Sequence, residues 1–109
     1  HWPKNVKALR MRCRALTLKG DLPDALSDCD QAVQLAPEDW RGWFTRGLLR
    51  EVRNEQNLAL IDFTASKARM PQGLETFPVI ARQLKAYGLL TDGDDAKDKA
   101  APLPVWQEE

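Results

Sequence analysis

The chain has 109 residues and no net charge, with 43% apolar and 29% charged residues. This length is enough for one domain with a modest core, and the composition is typical of a globular protein. No apolar run approaches the roughly 20 residues that span a bilayer, so we expect no membrane role.

Apolar spacing predicts a first pair of helices near the N-terminus. Helix one covers about residues 5–19, and Gly20 ends it because glycine tolerates a left-handed backbone. Helix two follows to about residue 36. Asp21 offers it an N-cap oxygen, and Pro23 lies early in the helix, where its missing N–H costs nothing.

A second pair of helices and a shorter fifth helix follow. Asp39 is predicted to cap helix three, which ends near residue 53, and helix four covers about residues 57–69. Pro78 fits inside helix five only if that helix starts within a turn of it, near Thr76, because an internal proline costs about 3 kcal/mol.

The chain repeats itself with a period of about 34 residues, a length typical of a helix-turn-helix array. Gly20 and Asn54 can each end a first helix, while small residues allow close helix packing and prolines stop each second helix. The aligned pairs are Arg12 and Arg46, Gly20 and Asn54, Ala25 and Ala59, Leu26 and Leu60, Asp28 and Asp62, and Pro37 and Pro71.

These residues resemble the tetratricopeptide (TPR) repeat family, with units at 6–39 and 40–73 and a capping helix at 74–89. The second unit has the expected aromatic, small and proline residues: Trp43, Gly47, Ala59, Phe63, Ser66 and Pro71. The first unit keeps Gly20, Ala25, Ala32 and Pro37 but has Leu9, Cys13, Leu16 and Cys29 at other motif positions. The resemblance implies an all-α, right-handed helical-hairpin solenoid over 1–90. The composition of 91–109 predicts an irregular acidic, proline-containing tail.

Cys13 and Cys29 are placed at positions that face each other between the first two helices. We predict two buried reduced thiols, because free cysteine is among the most buried residue types, with a disulfide as the alternative. Their spacing fits no zinc site, and the one histidine is His1. We therefore predict no metal site.

The sequence carries no recognisable catalytic set. It has no internal histidine, no glycine-rich phosphate loop and no Ser/His/Asp or Cys/His arrangement. We expect no enzyme activity and no cofactor. The chain starts at His1 without a signal-peptide pattern, so we expect a domain of a longer chain or a processed product, and its compartment stays open.

The TPR resemblance implies that outward residues of each first helix line a concave, ligand-binding groove. Six of the twelve such positions are cationic, and Phe44 and Leu48 are expected to be an exposed apolar floor. We therefore predict a protein-interaction module for an acidic peptide. The predicted ligand-binding residues are Lys7, Arg10, Arg14, Arg41, Phe44, Leu48, Arg82 and Lys85.

Two alternatives to peptide binding stay open. Clustered cations before Gly20 would suit nucleic acid, but the zero net charge disfavours it. The chain could also be a structural or self-associating part of a larger protein. The tail has net charge −4, from six acids and two lysines, and residues 1–90 have +4. We expect Leu103 or Trp106 to pack near Phe44 and Leu48, in the same chain or a neighbouring one, with Glu108 and Glu109 near the cations; a tail resting on the convex side is the alternative.

Overall fold

The computed structural model describes residues 5–90, which fold into five α-helices and contain no strand. This confirms the predicted all-helical class and the number of helices. The helices are α1 (Val6–Lys19), α2 (Leu22–Leu35), α3 (Trp40–Val52), α4 (Gln56–Arg69) and α5 (Pro78–Ala86), with a single 3-10 turn at Leu74–Thr76 before α5.

The chain divides into two compact units after Met70. The first unit holds two helical hairpins, in which α1 packs against α2 and α3 packs against α4. Both α1 and α2 also contact α3. The second unit starts at Pro71 and contains the 3-10 turn and α5. The predicted tail, 91–109, lies outside the described residues, so its boundary stays a prediction.

The first hairpin is delimited by residues that satisfy the helix ends. The side chain of Asn5 accepts a hydrogen bond from the N–H of Ala8 at 2.9 Å and caps α1. Gly20 ends α1 in a left-handed conformation with φ 99°, as predicted. Asp21 occupies the predicted N-cap position of α2, but the prediction that its side chain caps the helix is wrong. Its side chain makes no cap hydrogen bond and instead lies 3.6 Å from the Lys19 ammonium.

The second hairpin uses the same kinds of residue at its ends. Asp39 caps α3 and accepts a hydrogen bond from the N–H of Arg41 at 3.0 Å, which confirms the prediction. Asn54 has φ 61° just after α3, and it is the only non-glycine residue with positive φ in the part of the chain described here. Asn54 therefore adopts a left-handed conformation at the end of α3, as Gly20 does at the end of α1.

The core between paired helices differs between the two hairpins at equivalent positions. In the second hairpin the ring of Phe63 fits against Gly47, and Phe63 is fully buried. In the first hairpin the corresponding residues are Cys13 and Cys29, and they form a disulfide with their Cα atoms 5.4 Å apart. The prediction of reduced thiols is wrong, because burial opposite one another also places the two sulfurs within bonding reach.

The fifth helix is shorter than the predicted 74–89. Phe77 is extended, with φ −63° and ψ 136°, because the residue before a proline is disfavoured in the helical region. Pro78 is therefore the first residue of α5, where its missing N–H costs no helical hydrogen bond. The segment before Phe77 forms only the 3-10 turn.

Candidate peptide-binding surface

Three predicted site residues lie along one side of α1. Lys7, Arg10 and Arg14 are three and four positions apart, a spacing that places side chains on the same face of a helix. Lys7 and Arg14 are exposed, and neither has an ion-pair partner among residues 5–90. The side chain of Arg10 is largely buried and its guanidinium lies 3.8 Å from the Asp39 carboxylate.

Asp39 connects this side of α1 to the start of α3. Arg41 donates hydrogen bonds to both carboxylate oxygens of Asp39, through Nε at 2.9 Å and Nη2 at 3.1 Å. These bonds lower the pKa of Asp39 below its ordinary value, although partial burial acts in the opposite direction. The structure therefore brings Arg10 and Arg41 to one carboxylate, which offsets part of their charge.

The predicted apolar floor is not an exposed surface. Phe44 is only 9% exposed, and its ring makes edge-on contacts with Trp40 and Phe63 at centroid distances of 5.9 and 5.3 Å. The expectation that Phe44 is exposed is wrong, because an aromatic ring beside the buried Phe63 gains more from the core than from a groove. Leu48 is half-buried.

The remaining predicted residues lie in the second unit or in the tail. Arg82 and Lys85 are both exposed on α5. Their participation in one groove with Arg41 stays a prediction. Leu103 and Trp106 lie outside the described residues, so their predicted docking stays a prediction. Of the two residues expected to receive them, Phe44 and Leu48, Phe44 is buried.

The sequence interpretation missed a repeated ion pair between an arginine and a buried aspartate. Arg12 binds both oxygens of Asp28, at 2.6 and 2.8 Å, and the hydrogen bond raises the pKa of Arg12. Arg46 binds both oxygens of Asp62 in the same way, at 3.0 and 2.9 Å. The second pair occupies the positions equivalent to the first, one repeat later. The identities at these positions were visible in the sequence, but the burial of the aspartates and the pairing were not.

The second hairpin extends its ion pair into a larger network. Arg46 also donates to Asp30 of α2 at 3.0 Å, and Arg50 lies 3.2 Å from Asp62. The guanidinium groups of Arg46 and Arg69 both lie over the ring of Trp43, 5.1 and 4.9 Å from its centroid. These arginines hold helices together and are partly or largely withdrawn from solvent.

The described residues offer no other obvious chemistry. No cluster of histidine, cysteine, aspartate or glutamate suitable for a metal occurs within 5–90. In the same range, no helix has the length and apolar character needed to cross a membrane. Comparison with protein-family models, curated proteins and solved structures finds no match for this chain.

Proposed function

We propose that this chain is a TPR-like protein-interaction module that binds an acidic peptide segment through Lys7, Arg14 and Arg41. The observation that carries the proposal is the exposure of Lys7 and Arg14 on one side of α1 without a partner within the described part of the chain. Arg41 lies beside this row, because it shares the Asp39 carboxylate with Arg10, and its side chain is 55% exposed although Asp39 offsets part of its charge.

The repeat interpretation rests on the equivalence of the two hairpins. The Arg12–Asp28 and Arg46–Asp62 pairs occupy aligned positions with matching geometry, and Gly20 and Asn54 end corresponding helices with positive φ. Such equivalence favours a repeat array over an irregular helical bundle.

Ion pairing within the chain favours a peptide over a nucleic acid as the ligand. Of the five cations between residues 5 and 19, Arg10, Arg12 and Lys19 each lie within 4 Å of an aspartate. Only two remain to neutralise phosphates there, whereas affinity for a nucleic acid grows with the number of phosphates neutralised. A short acidic segment needs fewer contacts.

The proposal predicts weak, salt-dependent binding. Exposed ion pairs contribute about 0.2–1 kcal/mol each, so a ligand held only by three of them should bind no more tightly than about millimolar levels. The assay is fluorescence anisotropy of a labelled Asp/Glu-rich peptide, at low salt and at about 0.15 M, where the Debye length is about 8 Å. A duplex oligonucleotide is titrated in parallel.

A matched pair of double variants separates a site from net charge. Lys7→Glu with Arg14→Glu should weaken acidic-peptide binding about tenfold or more. Lys19→Glu with Lys67→Glu changes the net charge equally at other exposed positions and should have a much smaller effect. Equal loss in both double variants, or tighter binding of the oligonucleotide than of the peptide, would contradict the proposal.

A further inference from the structure

The side of α1 that points away from its buried residues carries exposed apolar groups. Met11 is 57% exposed and Leu18 79% exposed, and Ala8 and Ala15 are also exposed. Their spacing of three, four and seven positions places them in one row, which we call the outer face of α1. Contiguous exposed apolar groups are typical of surfaces that contact another molecule.

The corresponding side of α3 is covered by α2 and the first hairpin. Gly42, which aligns with Ala8 in the repeat, is buried against Val33 of α2. Leu49, which aligns with Ala15, is fully buried in a cluster with Ala25 and Cys29. The positions of Ala8 and Ala15 are therefore packed in α3 and open in α1, whereas the counterparts of Met11 and Leu18 are the half-buried Thr45 and the 55% exposed Val52.

An arginine marks the edge of both surfaces. Arg46 uses Nε and Nη2 for Asp62 of its own hairpin and donates from Nη1 to Asp30 of α2 at 3.0 Å. Arg12 uses Nε and Nη2 for Asp28 in the same way. Its Nη1 has no partner among residues 5–90, and its side chain is 66% exposed. The Nη1 donor that joins Arg46 of α3 to α2 therefore has no counterpart bond at Arg12 of α1 within residues 5–90.

We propose that the outer face of α1 binds an α-helix of another protein whose contact side resembles that of α2. That helix carries an aspartate that accepts from Nη1 of Arg12 and, three positions later, a branched apolar residue that packs on Ala8. These two residues correspond to Asp30 and Val33 of α2. The proposal concerns a different surface and a different ligand from the acidic-peptide proposal.

The sizes of the side chains agree with this arrangement. A Cβ atom added at Gly42 would lie 3.5 Å from Cγ2 of Val33, an ordinary van der Waals distance, so Ala8 fits where α3 has glycine. Ala15 is smaller than the Leu49 that packs against Cys29. The bound helix therefore carries an apolar residue larger than cysteine at the position that corresponds to Cys29 and faces Ala15.

A second copy of this chain is a poor occupant. The contact side of α2 is already used by α3 in its own molecule. On α4, the residues that correspond to Asp30 and Val33 are Thr64 and Lys67, so the acid is missing and a cation replaces the apolar residue. The matching acid must come from a different helix.

A peptide copy of α2 tests the proposal directly. The probe is residues 21–36 with Cys29→Leu, held helical by a lactam bridge between side chains introduced at positions 27 and 31, which lie opposite position 29 on the helix. Anisotropy titration with the full chain should give saturable binding at micromolar concentrations. The Asp30→Asn probe should bind about fivefold to tenfold more weakly, because it loses the charge-assisted bond to Arg12.

Two protein variants locate the bound probe. Met11→Glu should reduce its affinity at least tenfold, whereas Ile61→Glu, at a similarly exposed position on α4 (59%), should not. A glutamate at position 11 would lie within ion-pair reach of Lys7 and Arg14, so a neutral variant separates the two sites. Met11→Gln should weaken binding of the probe and leave binding of the Asp/Glu-rich peptide unchanged. Circular dichroism of each variant checks that the helices remain folded.

Several results would overturn the proposal. They are the absence of binding by the lactam probe, equal binding of the Asp30→Asn probe, and equal effects of Met11→Glu and Ile61→Glu. A dimer in sedimentation velocity that Met11→Glu dissociates would assign the face to a second copy. Displacement of the probe by a peptide of residues 91–109 would assign it to the chain's own tail.

Discussion

Two glycines of α3 should respond in opposite ways to the same substitution. Gly47 lies against the fully buried ring of Phe63, and a Cβ atom there would lie 2.7 Å from Cε1 and 2.9 Å from two further ring carbons. Real Cβ atoms do not approach so closely, and a buried ring cannot move without displacing its neighbours. Gly42 has room, since its added Cβ would make ordinary contact with Val33 at 3.5 Å.

The magnitudes follow from overpacking and helix propensity. Overpacking a core costs about 1–3 kcal/mol, and alanine in a helix interior regains about 1 kcal/mol relative to glycine. With three ring atoms in conflict, Gly47→Ala should lower the free energy of unfolding by about 1–2 kcal/mol. Gly42 lies in the first turn of α3, so Gly42→Ala should raise it by about 0.5 kcal/mol.

Urea unfolding followed by circular dichroism measures both variants, and an unchanged m-value would indicate that stability alone has changed. Phe63→Leu in the Gly47→Ala background supplies the control. The smaller side chain should relieve the conflict, so the double variant should be more stable than the sum of the single changes predicts. A Gly47→Ala protein as stable as Gly42→Ala would refute the close approach between α3 and α4.

Three further outcomes are expected. Thiol reagents should label Cys13 and Cys29 in denatured protein only after reduction, and loss of the disulfide should cost about 3 kcal/mol for a loop of this size; labelling before reduction would contradict the bond. Arg46→Met should cost about 3 kcal/mol in thermal or urea unfolding, because it removes one partner of the buried Asp62 carboxylate, and a neutral result would contradict this role. Stability should fall below about pH 4, because Asp39 has a lowered pKa and its stabilising contribution is present above the unfolded pKa and lost as the pH falls through the folded one. The Asp39→Asn variant should reduce this pH dependence, and an unchanged acid transition would show that other groups dominate it.

The helices could be predicted because their ends depend on local chemistry. Gly20, Asn54 and Asp39 act through their own backbone or a neighbouring N–H, and their positions mark helix boundaries in the sequence. Asp21 has the same capping chemistry in principle, but its side chain turns to Lys19 instead. The 3-10 turn before Pro78 was not predicted, because proline restricts the preceding residue without specifying what lies before it.

The candidate site was harder to predict because exposure depends on neighbouring helices. The TPR resemblance implied an outward position for Phe44, but the adjacent Trp40 and Phe63 bring its ring into the core. The pairing of the cations also depends on neighbouring elements and could not be predicted from the sequence. Lys7 and Arg10 are both cations on one side of α1, yet only Arg10 meets Asp39, which belongs to the loop before α3.

Acidic peptides are proposed to bind the exposed cations of α1 and α3, and residue-by-residue NMR of the full chain locates this binding. Amide shifts of the full chain are followed while an Asp/Glu-rich peptide is added. The largest shifts should occur at Lys7, Arg14 and Arg41, and they should shrink when salt is raised. Shifts concentrated on α2 or α4, or a spectrum unchanged at millimolar peptide, would contradict this proposal.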